Sequence, residues 1–223
     1  YPSGAKRWYS RVDIEGAKRI VADVRAGTDP QPGDGDRGSH PFFAGQRRVV
    51  LDLCGELDST ELDDYLRVGG YEGLCRALSM APEEVIEEVN ASGLRGRGGA
   101  YFPAAHKWEA ARAVNKTTRY LVVNSEEGEP GVYKDRHIME GAPHRLVEGA
   151  AIAAYASGAQ RAVIYINAEP EISAHRVESA VRQATDLGLL GDNIMGSGFD
   201  LTMEIRRGAG GYICGEETTL LNT

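Results

Sequence analysis

The sequence predicts an α/β protein with a mostly parallel sheet, flanking helices and an extended lead-in. Two observations carry this prediction. Three short apolar runs in the second half of the chain have the composition of buried strands. Each of them is followed by a segment with helix signals, and regular alternation of strand and helix is typical of a parallel sheet.

The first half of the chain predicts helices and irregular segments. Residues 13–26 place apolar side chains at helical spacing and predict a short amphipathic helix. Residues 28–41 are rich in Gly, Pro and Asp without any period, which indicates a linker. Residues 48–54 predict a strand or an extended edge. Pro82, followed by two glutamates, predicts a helix over 82–91.

The second half supplies the sheet. The predicted strands are 119–125, 161–167 and 200–206, and the predicted helices are 143–157, 169–187 and 215–222. This alternation predicts a Rossmann-like arrangement, in which ligands bind beyond the carboxyl ends of the strands. The loops that follow the strands are therefore where a binding site is expected.

Composition narrows the class of protein. The chain of 223 residues suits one large domain, or one domain with a partial neighbour. A formal net charge of −8 argues against a nucleic-acid surface, which would reward clustered Lys and Arg. The apolar runs are shorter than a membrane span, so no direct membrane insertion is predicted. The chain opens on Tyr1 rather than Met and stops within a predicted helix, so we expect a fragment.

Cysteine usage indicates a reducing, cytoplasmic setting. Cys54, Cys75 and Cys214 are the only cysteines and have no CxxC spacing. They cannot by themselves form a disulfide framework, a zinc site or an iron–sulfur site. The sequence therefore predicts no metal site, and the three thiols are expected to be buried or half-buried.

The segment SGLRGRGGAYFPAAHKW (92–108) has the chemistry of a phosphate cradle. Its glycines allow the backbone to approach an anion closely, and three cations surround them. The cations are Arg95, Arg97 and Lys107. The segment is not a Walker A motif, and it follows a helix rather than a strand, so a merely flexible glycine turn is the alternative.

Two further loops are acidic. VVNSEEGEP (122–130) follows the first strand, and GAGGYICGEE (208–217) follows the third. Carboxylates repel phosphate but accept hydrogen bonds from hydroxyl and amino groups. A ligand with phosphate at one end and hydroxyl and N–H groups at the other would satisfy all three loops. Flavin mononucleotide (FMN) is such a ligand, and a nicotinamide dinucleotide adds ribose hydroxyls; a solvated acidic turn is the alternative.

Four segments of this chain resemble the FMN- and NADH-binding subunit of respiratory complex I. They also resemble its soluble relatives, the diaphorase subunits of NAD-linked hydrogenases and formate dehydrogenases. The segments are SGLRGRGGAYFPAAHKW, YLVVNSEEGEPGVYKDR, PHRLVEGAAIAAYASGA and GAGGYICGEETTLLN.

The resemblance also implies a domain organisation. Residues 1–27 resemble the tail of a thioredoxin-like ferredoxin module, which favours a soluble hydrogenase or formate-dehydrogenase type of subunit over complex I itself. Residues 28–80 would be the linker and lead-in, and 81–223 the FMN/NADH-binding α/β domain.

The resemblance implies roles for individual residues. Those on the flavin side are Gly96, Arg97, Gly98, Gly99, Lys107, Asn124, Glu126 and Glu127. Those toward the dinucleotide and around the rim are Phe102, Glu129, Tyr212, Gly215, Glu216 and Glu217. Glu129 is the candidate catalytic residue, because it would shape the nicotinamide pocket beside the flavin.

Three residues depart from the family pattern. Tyr101 stands where the family usually has Gly, His106 where Leu is usual, and Ala110 where an aromatic residue commonly stacks on adenine. The first and third of these leave NADH binding in question.

The function implied by the resemblance is hydride transfer between NADH/NAD+ and FMN. Electrons would then pass to iron–sulfur partner subunits of a larger redox complex, and the family's four-cysteine 4Fe–4S segment is expected beyond Thr223. One alternative is a non-catalytic nucleotide-binding structural subunit, and a weaker one is another phosphate-ligand enzyme such as a kinase. The direction of electron flow and the physiological acceptor stay open.

Overall fold

The computed structural model of this chain describes residues 9, 12–28, 41–129, 131–208, 214–215 and 217–222. Packing divides the chain into two units, residues 1–49 and residues 50–223. The first contains α1 (Ile14–Arg25) and the four-residue α2 (Pro41–Ala44). The predicted amphipathic helix is confirmed as α1, which begins directly after Asp13. The side chain of Asp13 caps α1 by accepting a hydrogen bond from the backbone N–H of Gly16 at 2.7 Å.

The second unit opens with four helices. They are α3 (Leu62–Arg67), α4 (Glu72–Leu78), α5 (Pro82–Ala91) and α6 (Ala104–Ala113). The prediction for 82–91 is confirmed by α5, where Pro82 occupies the first turn and Glu84 accepts a hydrogen bond from the backbone N–H of Ala81 at 2.7 Å.

The prediction of a strand or extended edge over 48–54 is wrong. The chain turns there, with the N–H of Cys54 donating to the carbonyl of Leu51 at 3.2 Å. The carbonyl of Val50 accepts from Arg145 at 2.8 Å. Because local turns and an arginine from a distant helix take these backbone groups, the segment pairs with no strand among the described residues.

The sheet has three parallel strands in the order β1 (Tyr120–Ser125), β2 (Arg161–Ile166) and β3 (Thr202–Arg207). This confirms the predicted sheet. The helices that connect or follow the strands are α7 (Lys134–Gly141), α8 (Pro143–Ser157), α9 (Glu171–Asp186) and α10 (Glu217–Asn222), and a short 3-10 turn covers Ile194–Gly196.

Helices α8 and α9 pack against each other and against the same side of the sheet. In β1, Leu121 and Val123 contact the core, whereas Tyr120 and Val122 on the other side are exposed. The five buried alanines of α8 let it approach its neighbours closely. The core of the second unit therefore lies between α8, α9 and one side of the sheet.

A buried carboxylate on α8 holds α4 in place. Glu148 accepts hydrogen bonds from the hydroxyl of Tyr65 at 2.5 Å and from the N–H groups of Tyr71 and Leu74, both at 3.0 Å. The latter two groups lie at the start of α4, where backbone N–H groups lack partners within the helix. A side chain 74 residues away in sequence thus caps α4.

His144 continues this polar network. Its Nδ1 lies 3.0 Å from the hydroxyl of Tyr71, and its Nε2 lies 2.9 Å from Oε1 of Gln183. Because the Gln183 amide donates to the carbonyl of Thr60, its oxygen faces the imidazole. We therefore assign the proton to Nε2, with Nδ1 accepting from Tyr71. Burial lowers the pKa of His144 and raises that of the Tyr71 hydroxyl, so both groups are held neutral.

Candidate functional site

A cavity of about 400 Å³ lies at the carboxyl end of β1. Its volume is within the range of small-molecule pockets. The lining residues are Arg97, Gly98, Asn124, Glu126, Glu129, Lys134, Asp135, Cys214 and Gly215. Parts of all three predicted loops therefore meet at one cavity, at the edge of the sheet where a ligand was expected.

A wider cleft of about 590 Å³ between α5 and α6 contains none of the predicted residues. Its arginines have partners already. Arg112 pairs with Glu83 at 2.6 Å, and Arg119 donates to the carbonyls of Ala111, Arg112 and Val114 at the end of α6. The cleft is therefore less suitable than the cavity at β1 as a binding site for a phosphate-containing ligand.

The glycine-rich loop forms a narrow hairpin. Arg95 and Pro103 are joined by an antiparallel bridge, and the N–H of Gly96 donates to the carbonyl of Phe102 at 2.9 Å. The tip that this bridge closes contributes Arg97 and Gly98 to the cavity. Gly99 has φ of 103°, a conformation that only glycine adopts without strain. The hairpin thus presents bare backbone beside one guanidinium.

The family departure at Tyr101 lies in the same tip. Tyr101 has φ of 55°, in the left-handed region that favours glycine. The guanidinium of Arg95 lies 5.0 Å from the centre of its ring and also donates to its carbonyl at 3.3 Å. Tyr101 and the adjacent Phe102 are 60% and 55% exposed. Contacts with Arg95 therefore support a residue whose backbone conformation suits glycine.

The carboxylate of Glu127 is bound to α7 and is not part of the cavity lining. Its side chain is only 2% exposed and accepts hydrogen bonds from the N–H groups of Asp135 and Arg136, both at 3.0 Å. Those groups belong to the first turn of α7, and the guanidinium of Arg136 adds an ion pair at 3.6 Å. Glu127 thus joins the acidic loop to the start of α7.

Glu126 and Asn124 hold the acidic loop together at the cavity wall. The carboxylate of Glu126 accepts from the side-chain amide of Asn167 and from the N–H of Gly128. Asn124 accepts from the N–H of Glu126 at 3.1 Å and donates to the carbonyl of Cys214 at 2.7 Å. An amide oxygen can accept twice and its nitrogen can donate twice, so toward the residues that the structure describes Asn124 retains one position of each kind.

Glu129 differs from the other two glutamates of this loop. It is exposed, lines the cavity, and its carboxylate makes no hydrogen bond or ion pair with the residues that the structure describes. It is therefore the glutamate of the acidic loop that is available to a ligand.

Sequence reasoning missed three cavity residues, Lys134, Asp135 and Cys214. Lys134 and Asp135 form an ion pair in the first turn of α7. Burial raises the pKa of Asp135, the lysine opposes that rise, and Glu127 and Glu126 add to it. A helix prediction starting at Lys134 would have placed both side chains beside the acidic loop.

The other predicted residues lie around or outside this cavity. Lys107 is exposed in the first turn of α6 and is not part of the lining. Gly96 serves the hairpin bridge. Tyr212 and Glu216 lie outside the described residues, and Glu217 begins α10 without its side chain being described.

The described part of the chain shows neither a metal-binding cluster nor a membrane-spanning helix. No group of three or more His, Cys, Asp or Glu side chains there is arranged to hold a metal ion. None of the helices described is both long enough and apolar enough to span a bilayer.

Comparison with known proteins gives one family and several relatives. Residues 89–223 match the family described as the Nuo51 FMN-binding domain. The NADP-reducing hydrogenase subunit HndC of Solidesulfovibrio fructosivorans is 46% identical over 80% of this chain and 36% of its own length. A NADH-quinone oxidoreductase subunit of Aquifex aeolicus is 50% identical over 73% of this chain and 38% of its own length.

A solved structure of similar fold is the air-oxidized NAD+-reducing NiFe-hydrogenase, with a TM-score of 0.60 and 28% identity. The match covers 96% of this chain and 34% of that one. In these three comparisons the matched region therefore spans 34–38% of the known protein's length.

Proposed function

The chain belongs to the Nuo51 FMN-binding domain family, and on that basis we propose that it is a flavoprotein module for hydride transfer between NAD(H) and FMN. The observation that carries this proposal is that the glycine-rich hairpin and the acidic loop line the same cavity. The hairpin side of the cavity, with Arg97, suits an anion, whereas the acidic loop suits hydroxyl and N–H donors. A ligand with one phosphate and many hydroxyl and N–H groups would match both sides.

The side chains and backbone present fit FMN. Arg97 and the bare backbone of Gly98 would hold the phosphate, because both attract an anion. Asn124, with one donor and one acceptor position left, would bind the ribityl hydroxyls or the ring edge. FMN, when bound, supplies the hydride acceptor and the change from two-electron to one-electron chemistry.

The protein contributes binding and orientation. Glu129, as the available glutamate of the acidic loop, would accept hydrogen bonds from the nicotinamide half of NAD(H) and hold that ring against the flavin. Glu127 would act indirectly, since it fixes the loop on α7. No proton transfer from a side chain is required for a hydride step, and none of the described residues that line the cavity is a histidine.

The module would operate within a larger redox complex. Relatives are named as subunits of a hydrogenase and of a quinone oxidoreductase. We place the electron exit in iron–sulfur clusters outside residues 1–223, in partner subunits or in further parts of the same complex. A cytoplasmic location, in solution or at the cytoplasmic side of a membrane complex, suits its three cysteines, which form no disulfide with one another.

Flavin analysis of the full-length protein tests this proposal. Heat should release FMN, identified by mass, and NADH should bleach the yellow protein under anaerobic conditions. Arg97→Ala should lower flavin occupancy, with FMN binding weaker by about tenfold or more. Arg67→Ala, which removes an arginine paired with Asp64 on α3, is the matched control and should retain the flavin. Recovery of FAD, or no flavin in the wild-type protein, would contradict the proposal.

A further inference from the structure

We propose that a second pocket, at the amino edge of the sheet, binds a phosphate group, either as free phosphate or as part of a nucleotide. The pocket has a volume of about 360 Å³, and its lining includes Arg119 and Gln160, which directly precede β1 and β2. Strands of this length separate it from the flavin cavity by about 20 Å. The two cavities share no described residue, so this inference goes beyond the proposed function.

The pocket is positively charged, although the chain carries a formal net charge of −8. Its lining contains the three cations Arg112, Lys116 and Arg119, and among the described residues no Asp or Glu lines it. Lys116 is exposed, and its side chain makes no hydrogen bond or ion pair with the residues that the structure describes. Three cations without a carboxylate favour an anionic ligand.

Arg119 is held rigidly and still has donors for a ligand. Its Nε donates to the carbonyl of Ala111 at 3.2 Å, and its Nη2 donates to the carbonyls of Arg112 and Val114 at 3.1 and 2.6 Å. These carbonyls lie at the end of α6, where a helix leaves such groups without partners. Nη1 makes no hydrogen bond with the described residues, so it presents two N–H donors in a fixed position.

A second guanidinium approaches the same point. Nη1 of Arg119 and Nη1 of Arg112 lie 3.3 and 3.5 Å from the position that a Cβ on Gly158 would occupy. Gly158 ends α8 with φ of 78°, so a glycine suits the backbone there and leaves room for both groups. The carboxyl end of α8 supplies only about half a negative charge against these cations. A phosphate would supply the rest and could accept hydrogen bonds from both Nη1 atoms.

The cleft between α5 and α6 shares both arginines but does not suit an anion. It is lined by Glu83, Glu87 and Glu109, and Glu83 accepts from Nε of Arg112 at 2.6 Å. The two Nη1 atoms lie instead beside Gly158, which lines the pocket and not the cleft. The donors that remain on the arginines are therefore available to the pocket.

The rest of the lining suits either source of a phosphate group. Thr117 and Gln160 can donate further hydrogen bonds to phosphate oxygens. Tyr155 and Phe199 contribute two rings that meet edge to face with their centres 5.2 Å apart. Free phosphate does not need this apolar surface, whereas the organic part of a nucleotide could cover it.

The experiment uses the full-length, FMN-loaded protein, so that the flavin site is already occupied. Calorimetry at constant ionic strength measures the binding of inorganic phosphate and of AMP to the wild type, Arg112→Gln and Lys116→Glu. Each variant should weaken phosphate binding by about tenfold or more, because each removes a charged group from the pocket, and should keep the wild-type FMN content. Since Lys116 is exposed, Lys116→Glu should fold even if the loss of Arg112 disturbs α6.

The AMP binding that both variants lose belongs to this pocket. If the wild type binds AMP there more tightly than inorganic phosphate, the ligand is a nucleotide, and if the two affinities are equal, it is free phosphate. Glu83→Gln is the matched control, because it breaks the ion pair of Arg112 and keeps the guanidinium. It should bind phosphate at least as tightly as the wild type. Arg182→Gln changes an exposed arginine on α9 and should leave phosphate binding unchanged.

Two results would overturn the proposal: a wild-type protein that does not bind phosphate, and wild-type phosphate affinity in either pocket variant. Binding of hexaglutamate without binding of phosphate would also overturn it and would make this edge a docking surface for an acidic protein segment. All three results leave the proposed flavin function standing, because FMN content is measured separately.

Discussion

At the scale of single residues, the three carboxylates of the acidic loop have three different tasks. Glu127 stabilises the start of α7, Glu126 braces the loop through Asn167, and Glu129 faces the cavity. Hydrogen bonds to buried donors offset the cost of placing like charges so close together. Crowded acidic residues in a sequence are therefore not a uniform ligand set.

We expect Glu127→Gln and Glu129→Gln to separate stability from binding. Glu127→Gln replaces one of the two accepting carboxylate oxygens with an NH2 group, which cannot accept from a helix N–H. This change should lower the free energy of unfolding by about 1–2 kcal/mol. Glu129→Gln should leave stability unchanged and weaken NADH binding. Urea unfolding and NADH titration measure the two effects. Equal stability of both variants would contradict the cap assigned to Glu127.

At the scale of elements, strong periodicity determined what could be predicted. Strands β1, β2 and β3 and the long helices α8 and α9 have apolar patterns that specify them locally. The short helices α4 and α7 have no such pattern and begin without a side-chain cap from the residue before them. Their caps come from Glu148 on a later helix and Glu127 in an earlier loop.

Contacts between residues distant in sequence also explain the wrong and missing predictions. The segment 48–54 has strand-like composition, but Arg145 takes the carbonyl of Val50. The binding loops were predicted from glycine and charge patterns, yet which carboxylate faces the cavity depends on α7. Lys134 and Asp135 were missed because α7, which carries them, was not predicted. Local sequence thus specified the loops and the sheet, while the roles within the loops depended on three-dimensional contacts.

Glu148 should be a principal support of α4. Glu148→Gln leaves at least one of the buried donors of Tyr65, Tyr71 and Leu74 without a good acceptor. We expect the free energy of unfolding to fall by about 3 kcal/mol. Amide hydrogen exchange should be faster in α4 than in α9. Glu88→Gln, which changes an exposed carboxylate on α5, is the control and should have neither effect.

The His144 network should make stability depend on pH. Burial lowers the pKa of His144 in the folded chain, so below about pH 6.5 the unfolded chain binds a proton that the folded chain does not. The free energy of unfolding should therefore decrease as pH falls below 6.5, by at most about 1.4 kcal/mol per pH unit, and level off below the folded pKa. Urea unfolding between pH 5 and pH 7 measures this slope.

His144→Gln should reduce that slope, because it removes the titrating group. His106→Gln is the matched control, since His106 is exposed on α6, and it should keep the wild-type slope. A wild-type slope in His144→Gln would mean that other groups account for the pH dependence.

At the scale of the whole molecule, one sheet edge organises the site. The cavity collects residues from before β1, after β1 and after β3, and α7 fixes the middle loop. Helix α8 holds α3 and the start of α4 through Glu148 and His144 while it packs on the sheet. Substitutions in α3 and α4 should therefore affect the site through stability rather than through direct contact.

Residues 1–223, as a separate polypeptide, should bind no iron. A 4Fe–4S cluster needs four thiolates or close substitutes, and the chain has three cysteines. Cys54 contacts the carbonyl of His137, Cys75 lies on α4, and Cys214 is buried with its carbonyl bound by Asn124. Flavin reduced by NADH in this polypeptide would then react only with dissolved oxygen or an added dye. Iron analysis and electron paramagnetic resonance after reconstitution with FMN test this, and a stoichiometric cluster signal would show that these cysteines bind iron after all.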